Sequence, residues 1–243
     1  MLWWNGRQPL LVDNSVDKVD NSANSHIFKQ TGPVIGLFAK QPVPGQVKTR
    51  LTPPLSAEQA CQLYLTALRE TVAQLRNAAV PMIICYAGQR DWFRATFPDL
   101  PLLAQGGDGL GARMSHAVQA LFAAGAGPVL LAGSDSPDLP ICLLEEVLAK
   151  LPETDVAVIP CHDGGYALVG MGQPTTELFD CIPWSSSQVL DVTRQRCRQL
   201  GLSLYETAAW HDLDELEDLR RLVARSPRSE TAGHIVRELG ELL

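Results

Sequence analysis

Residues 128–140 read PVLLAGSDSPDLP, and this stretch decides the fold. Its apolar run is short and unbroken, as in a strand buried on both faces. The run stops abruptly at Gly-Ser-Asp, which puts Asp135 at the strand's carboxyl end. Pro140 then stands where helices favour a first-turn proline, opening PICLLEEVLAKL. Asp138, just ahead of that proline, reads as the helix cap. A buried strand, an acid-bearing loop and a helix in succession are the repeating unit of an α/β protein.

The same unit recurs on either side. Upstream, GPVIGLFAK (32–40), PMIICYA (81–87) and PLLAQ (101–105) read as strands. Between them, SAEQACQLYLTALRETVAQL (56–75) is a helix with an apolar stripe of Ala60, Leu63, Ala67, Val72 and Leu75. Its Ser56 and Gln59 form a capping-box pair. A further helix is expected over about 113–124. Downstream, DVAVIPC and GYALVGM are strands joined by a tight reversal. SSSQVLDVTRQRCRQLG is a serine-capped helix ending on Gly201, LSLYET a last strand, and two helices over about 214–224 and 231–242 finish the chain. This rhythm predicts a single α/β domain over 33–243, with a mixed, mostly parallel central sheet and helices on both faces. Residues 1–32 differ: VDNSVDKVDNSANS is polar and without period, so a flexible N-terminal extension is expected there.

The chain has 243 residues, 46% of them hydrophobic, which is ample for a buried core. A formal net charge of −7 argues against a general DNA or RNA coat, which needs a basic face to displace counterions. It leaves room for a small anion held by local cations and helix N-termini. The six cysteines show no CxxC pair and no zinc-ligand spacing, so they read as core residues of a reducing compartment. With no apolar run approaching the roughly 20 residues of a membrane span, and no signal-peptide pattern, the chain is expected to be cytoplasmic.

In sheets of this kind ligands bind beyond the carboxyl ends of the strands, so the loops there carry the chemistry. After the first strand, AKQPVPGQVKTRL holds two prolines, Gly45 and three cations, Lys40, Lys48 and Arg50. Cations and free amides at a strand end suit a di- or triphosphate, although the spacing is not that of a Walker A loop. QGGDGLGARM brings Gly107, Gly109 and Ala112 into a G-x-G-x-x-A spacing, either a dinucleotide fingerprint or a glycine-rich connection whose backbone touches base or ribose. Asp135 is costly to bury unless it meets a cation, and Mg²⁺ or Mn²⁺ favour such hard oxygens. In PCHDGGYALVG, Asp163 sits either in a plain hairpin turn or beside an acceptor substrate. Cys161 beside His162 is no nucleophile pair, since neighbours on a strand face opposite ways. Asp212 and Asp214 in WHDLDELEDL either cap the following helix or complete a metal shell begun by Asp135.

Taken in order, FAKQPVPGQVKTRL, GSDSPDLP, DGGYALVG, IPWSSSQVL and HDLDELEDL resemble the selenodomain-associated glycosyltransferase-like family of the GT-A group. That group includes nucleotide-sugar transferases and nucleotidyltransferases, and the resemblance spans roughly residues 34–222. It implies a nucleotide-diphospho-sugar transferase-like fold. The nucleotide would lie against Ala39, Lys40, Gly45, Lys48, Arg50, Gln105 and Gly106. Metal would be held by Asp135 with Asp212 or Asp214, and the acceptor side bordered by Asp163, Gly164, Gly165 and Trp184. Asp135, Lys48 and Asp163 would stand nearest the reaction. Two departures stand out: Asp108 is displaced by one place from the usual Gly-Asp-Leu-Gly, and Ala167 replaces an aromatic residue. The reaction expected is transfer from a nucleotide-sugar or nucleoside triphosphate to a small acceptor with Mg²⁺ or Mn²⁺. The alternatives are a dinucleotide-dependent oxidoreductase, resting on the G-x-G-x-x-A spacing, and a nucleotide-binding protein without catalysis.

Overall fold

The computed structural model describes residues 32–242. Residues 1–31 of the expected extension lie outside the described residues, while Gly32 accepts a hydrogen bond from the Gly127 amide. The elements run β1 (Val34–Lys40), α1 (Ala57–Arg76), β2 (Met82–Ala87), α2 (Arg90–Thr96), β3 (Leu102–Ala104), α3 (Gly109–Ala123) and β4 (Val129–Gly133). They continue with α4 (Ile141–Lys150), β5 (Val156–Pro160), β6 (Tyr166–Met171), α5 (Val189–Leu200), β7 (Leu204–Glu206), α6 (Leu216–Arg225) and α7 (Glu230–Leu239). The seven strands form one sheet in the order β3-β2-β1-β4-β6-β5-β7. All adjacent pairs are parallel except β6, which runs antiparallel to both β4 and β5. This is the mixed, mostly parallel sheet with helices on both faces that the rhythm predicts. The inner strands are buried along nearly their whole length, as unbroken apolar runs require.

The register aligns four carboxyl ends at one edge of the sheet. Phe38 pairs with Gly133, Lys40 with Ala87, and Tyr86 with Ala104. The chain passes from β1 outward to β2 and β3, then returns to β4 on the other side of β1. That reversal opens a crevice beyond the ends of β1 and β4, where ligands of such sheets bind.

α1 is apolar on two sides. Cys61, Tyr64, Leu68, Val72 and Leu75 join the main core under the sheet. Leu51, Leu55, Ala60 and Leu63 instead meet Leu213, Leu219, Leu222, Ala232, Ile235 and Leu239 in a second cluster. A fully buried leucine contributes about 1.5–3 kcal/mol relative to exposure. Several together hold α6 and α7 firmly on α1, so the segment carrying Asp212 and Asp214 is anchored to the first loop.

Some local expectations need correction. α2 was not legible, and α3 starts at Gly109 rather than near Arg113, carrying Leu110 and Arg113 in its first turns. Pro140 occupies the cap of α4 and not its first turn, and no side chain caps that helix. Asp138 is spent elsewhere: its carboxylate pairs with Arg225 at 2.7 Å and accepts from the Ser226 hydroxyl and the Trp210 indole. α5 follows Gln188 without a serine cap; the Ser186 hydroxyl accepts from the Gln188 amide and donates to Pro183 O. The Ser56–Gln59 capping box and the left-handed Gly201 at the end of α5 are both present.

Candidate active-site cleft

A cleft of about 810 Å³, counting its mouth, opens at the reversal between β1 and β4. Each wall follows from the sheet register. Ala39 and Lys40 come from the end of β1, Ala87 from β2, Gln105 from just beyond β3, and Ser134 and Asp135 from just beyond β4. The loop after β1 adds Val47, Lys48, Thr49 and Arg50, the first turns of α3 add Leu110 and Arg113, and the segment before α6 adds Asp214.

Lys48 is the centre of this arrangement. Its ammonium lies 2.5 Å from Asp135 Oδ1 and 3.1 Å from Asp214 Oδ1, and it donates to Leu213 O at 2.5 Å. The three side chains are 5%, 12% and 11% exposed, so the ion pairs are well shielded from water. Burial alone would lower the Lys48 pKa, but the two carboxylates outweigh it and raise it, keeping the charge. Burial would likewise raise Asp214, yet the Lys48 ammonium pulls its carboxyl below the ordinary range. Asp135 goes the other way. Burial pushes it up, Lys48 only partly relieves this, and the nearby Asp214 and Asp212 push it further. Two buried carboxylates thus meet at Lys48, with Asp212 near them and the Arg50 charge also favouring ionised Asp214. Buried hard oxygens of this kind fit Mg²⁺ or Mn²⁺.

The floor is braced by a polar chain. The Lys40 amide donates to the Tyr64 hydroxyl at 3.0 Å, and that hydroxyl lies 3.0 Å from Ser134 Oγ. Burial, with Asp135 second, pushes the Tyr64 phenol up to about 12, so it stays protonated. The Lys40 ammonium donates to Gln46 O, and its pKa is lowered by burial and by the Arg113 guanidinium. Gln105 donates through Nε2 to Cys85 O at 2.7 Å and to Ala39 O at 3.4 Å, tying the ends of β1, β2 and β3 together.

The expected residues thus divide. Ala39, Lys40, Lys48, Arg50, Gln105, Asp135 and Asp214 come together on the cleft, and Tyr64, Arg113 and Ser134 join them unforeseen. Gly45 lies in the same loop, exposed, at a φ of +75° with open space around it. Gly106 packs against the His116 ring on α3. Gly107 and Gly109, of the G-x-G-x-x-A spacing, follow the edge strand β3 and not the first strand, where a dinucleotide fingerprint belongs.

Asp163, Gly164 and Gly165 form the β5–β6 turn, away from the cleft wall. Asp163 Oδ1 accepts from the Gly165 amide at 2.9 Å. Gly164, at a φ of +90°, presses so closely on the Ser187 carbonyl that a Cβ would fall 2.1 Å from it. Trp184 packs on Gly111, Tyr166 and Phe179 rather than lining the cleft. Asp212 is buried close to the turn. Donor atoms of Asp163, Asp212 and Cys161 lie within 4.8 Å of one another. Capping of α6 is done by Glu215 and Asp218, which leaves Asp214 to Lys48. Burial holds the Cys161 thiol well above its ordinary pKa, which suits an inert core residue.

The family model described as "Uncharacterized protein conserved in bacteria (DUF2064)" matches residues 69–186. A crystal structure of a proposed nucleotide-diphospho-sugar transferase from Desulfovibrio desulfuricans is 33% identical, covering 88% of this chain and 96% of its own, with a TM-score of 0.80. A Methanothermobacter nucleotidyl transferase is 15% identical over 79% of this chain and 96% of its own, at a TM-score of 0.55. Rv0371c of Mycobacterium tuberculosis is 18% identical over 80% and 98%, at 0.52. At the two lower identities the likeness is one of fold alone. A search of the curated proteins finds no match for the chain.

Proposed function

We propose that this chain, which belongs to the DUF2064 family of bacterial proteins, is a nucleotide-dependent transferase. Its donor is a nucleoside triphosphate or nucleotide-sugar, and the nucleotidyl or glycosyl group passes to a small acceptor. The observation that carries this is the meeting, in one cleft at the sheet's reversal, of the cations of the first loop with the buried acids beyond β4. The narrower kinship with the selenodomain-associated glycosyltransferase-like proteins belongs to the same proposal, as does the cytoplasm as its compartment.

In this reading the base and ribose lie along Ala39, Gln105 and Gly106, and the phosphates along Lys40, Arg50 and Arg113. Gly45 lets the first loop close over them. Asp135 and Asp214, with Asp212 behind, would hold Mg²⁺ or Mn²⁺. Such an ion supplies charge neutralisation on the leaving phosphate when bound. Lys48 serves the same end from the protein side, as a cation next to the developing charge. The acceptor side would be bordered by Asp163, Gly164, Gly165 and Trp184, which stand off the cleft wall, the Asp163 carboxylate already accepting from the Gly165 amide.

The test is a thermal-shift panel of nucleotides and nucleotide-sugars, each with and without Mn²⁺. A ligand that binds only the folded chain at 100 times its dissociation constant stabilises by about 2.7 kcal/mol. A metal-dependent rise with one nucleotide, lost in Asp135→Asn, is the expected result. A metal-dependent rise that Asp135→Asn keeps in full overturns the assignment of that residue. A rise with NADH alone would turn the reading to an oxidoreductase. Binding without turnover over an acceptor panel would leave a nucleotide-binding protein.

A further inference from the structure

The acids on the cleft floor already hold a cation, and it is part of the chain. Lys48 Nζ touches one oxygen of each carboxylate, at 2.5 Å from Asp135 and 3.1 Å from Asp214, and its third bond goes to Leu213 O. A divalent ion on carboxylate oxygens sits roughly 2.0–2.6 Å from them. An ion bridging the same two oxygens would therefore stand almost on top of the ammonium, and the two like charges exclude each other.

We propose that Lys48 is a resident stand-in for the divalent cation: ammonium and metal compete for the Asp135–Asp214 pair. The metal enters only when the donor's phosphates offer the lysine another anion. This rests on the nucleotide reading above and adds the order in which the site is filled. Lys48, Asp135 and Asp214 all line the cleft, so the flexible four-carbon stem can swing its ammonium from the acids into the cleft. Arg50, exposed two residues on, lies on the same wall to receive the phosphates with it. After the exchange each positive charge again lies beside a negative one: metal on the carboxylates, ammonium on the phosphates. The pair is never left bare, which a buried carboxylate pair would not tolerate. Because binding linkage is reciprocal, the nucleotide tightens the metal by the factor with which the metal tightens the nucleotide.

Mn²⁺ alone is the probe, titrated calorimetrically into the native chain, Lys48→Met and Lys48→Met/Asp135→Asn without nucleotide. The expected result is that Lys48→Met binds Mn²⁺ at least about tenfold more tightly than the native chain, and that the double variant loses the gain. The melting temperature of Lys48→Met should also rise with Mn²⁺ by more than that of the native chain. Equal affinity in native chain and Lys48→Met overturns the proposal. Where Lys48→Met does not fold, Lys48→Gln, which keeps an amide donor for the acids and removes the charge, decides by the same comparison. Failure of both to fold, with Mn²⁺ restoring neither, also overturns it, since the metal then cannot take the lysine's place. None of these readings uses a nucleotide, so a native chain that ignores every nucleotide would sink the proposed function without touching this result.

Discussion

Gly164→Ala tests how the β5–β6 turn is held against the segment before α5, and Gly45→Ala is its control. Both glycines have positive φ, +90° and +75°, so each alanine meets the left-handed penalty of about 1–2 kcal/mol. Only Gly164 adds a collision. Its Cβ would lie 2.1 Å from the Ser187 carbonyl oxygen, whereas the Gly45 Cβ meets nothing within 4 Å. Relief needs a backbone shift of about an ångström, and forced overpacking costs roughly 1–3 kcal/mol. The shift also strains the bond from the Leu190 amide to Gly164 O, 2.8 Å long, worth about 0.5–1.5 kcal/mol. The expected loss is therefore about 2.5–6.5 kcal/mol for Gly164→Ala against about 1–2 kcal/mol for Gly45→Ala. That larger loss is a sizeable part of the 5–15 kcal/mol typical of a folded chain. Urea denaturation followed by tryptophan fluorescence separates the two. If Gly164→Ala costs no more than Gly45→Ala, the turn does not press on Ser187 and the placement of Asp163 beside it is wrong.

Asp138→Ala should lose about 2–3 kcal/mol in the same assay, because it strands the Arg225 guanidinium and removes the acceptor of Ser226 and Trp210; a loss below about 0.5 kcal/mol would show that the network is ornamental. Of the six thiols, those of Cys142 and Cys181 are exposed and the other four are buried, with Cys85 pushed up to about 12 by burial. Two thiols should thus react quickly with a disulfide reagent in the native chain and the remaining four only on unfolding, and a fast third thiol contradicts the burial of one of those four. Burial lowers the pKa of both His211 and His234, so the unfolded chain binds protons more readily than the folded one just below the ordinary histidine value of about 6.5. Stability should then be full above that pH and fall as pH drops through it toward 5. Urea midpoints at pH 7 and 5 check this, and His234→Gln should shrink the difference.

How much of this was legible depended on whether a feature is encoded locally. The inner strands could be read because burial on both faces leaves an unbroken apolar run. The start of α1 could be read because Ser56 and Gln59 satisfy each other's amides three residues apart. α2 has seven residues and no room for a period, and Trp92 and Phe93 in it look no different from strand residues. The early start of α3 was hidden by its glycines, which disfavour helix. Gly111 is there for packing, since its Cβ would fall 2.7 Å from Trp184 Nε1, a contact 73 positions away that no window along the chain can see.

The cleft shows the same limit. Position beyond strand ends was enough to gather Lys40, Arg50 and Asp135 in advance, and the family resemblance added Gln105. Tyr64 and Arg113 reach the cleft only through the rotation of α1 and α3 on the sheet, which the apolar stripe sets to within a residue or so but does not aim. Lys48 shows the limit most clearly. By position it reads like its neighbours Lys40 and Arg50, a cation awaiting phosphate. Its partner Asp214 is 166 positions away and arrives because seven leucines and their neighbours pin the C-terminal helices to α1. Packing far from the cleft therefore sets what the lysine does there. A substitution that loosens that cluster, such as Leu219→Ala, would release Asp214 from Lys48 without changing a single residue of the cleft.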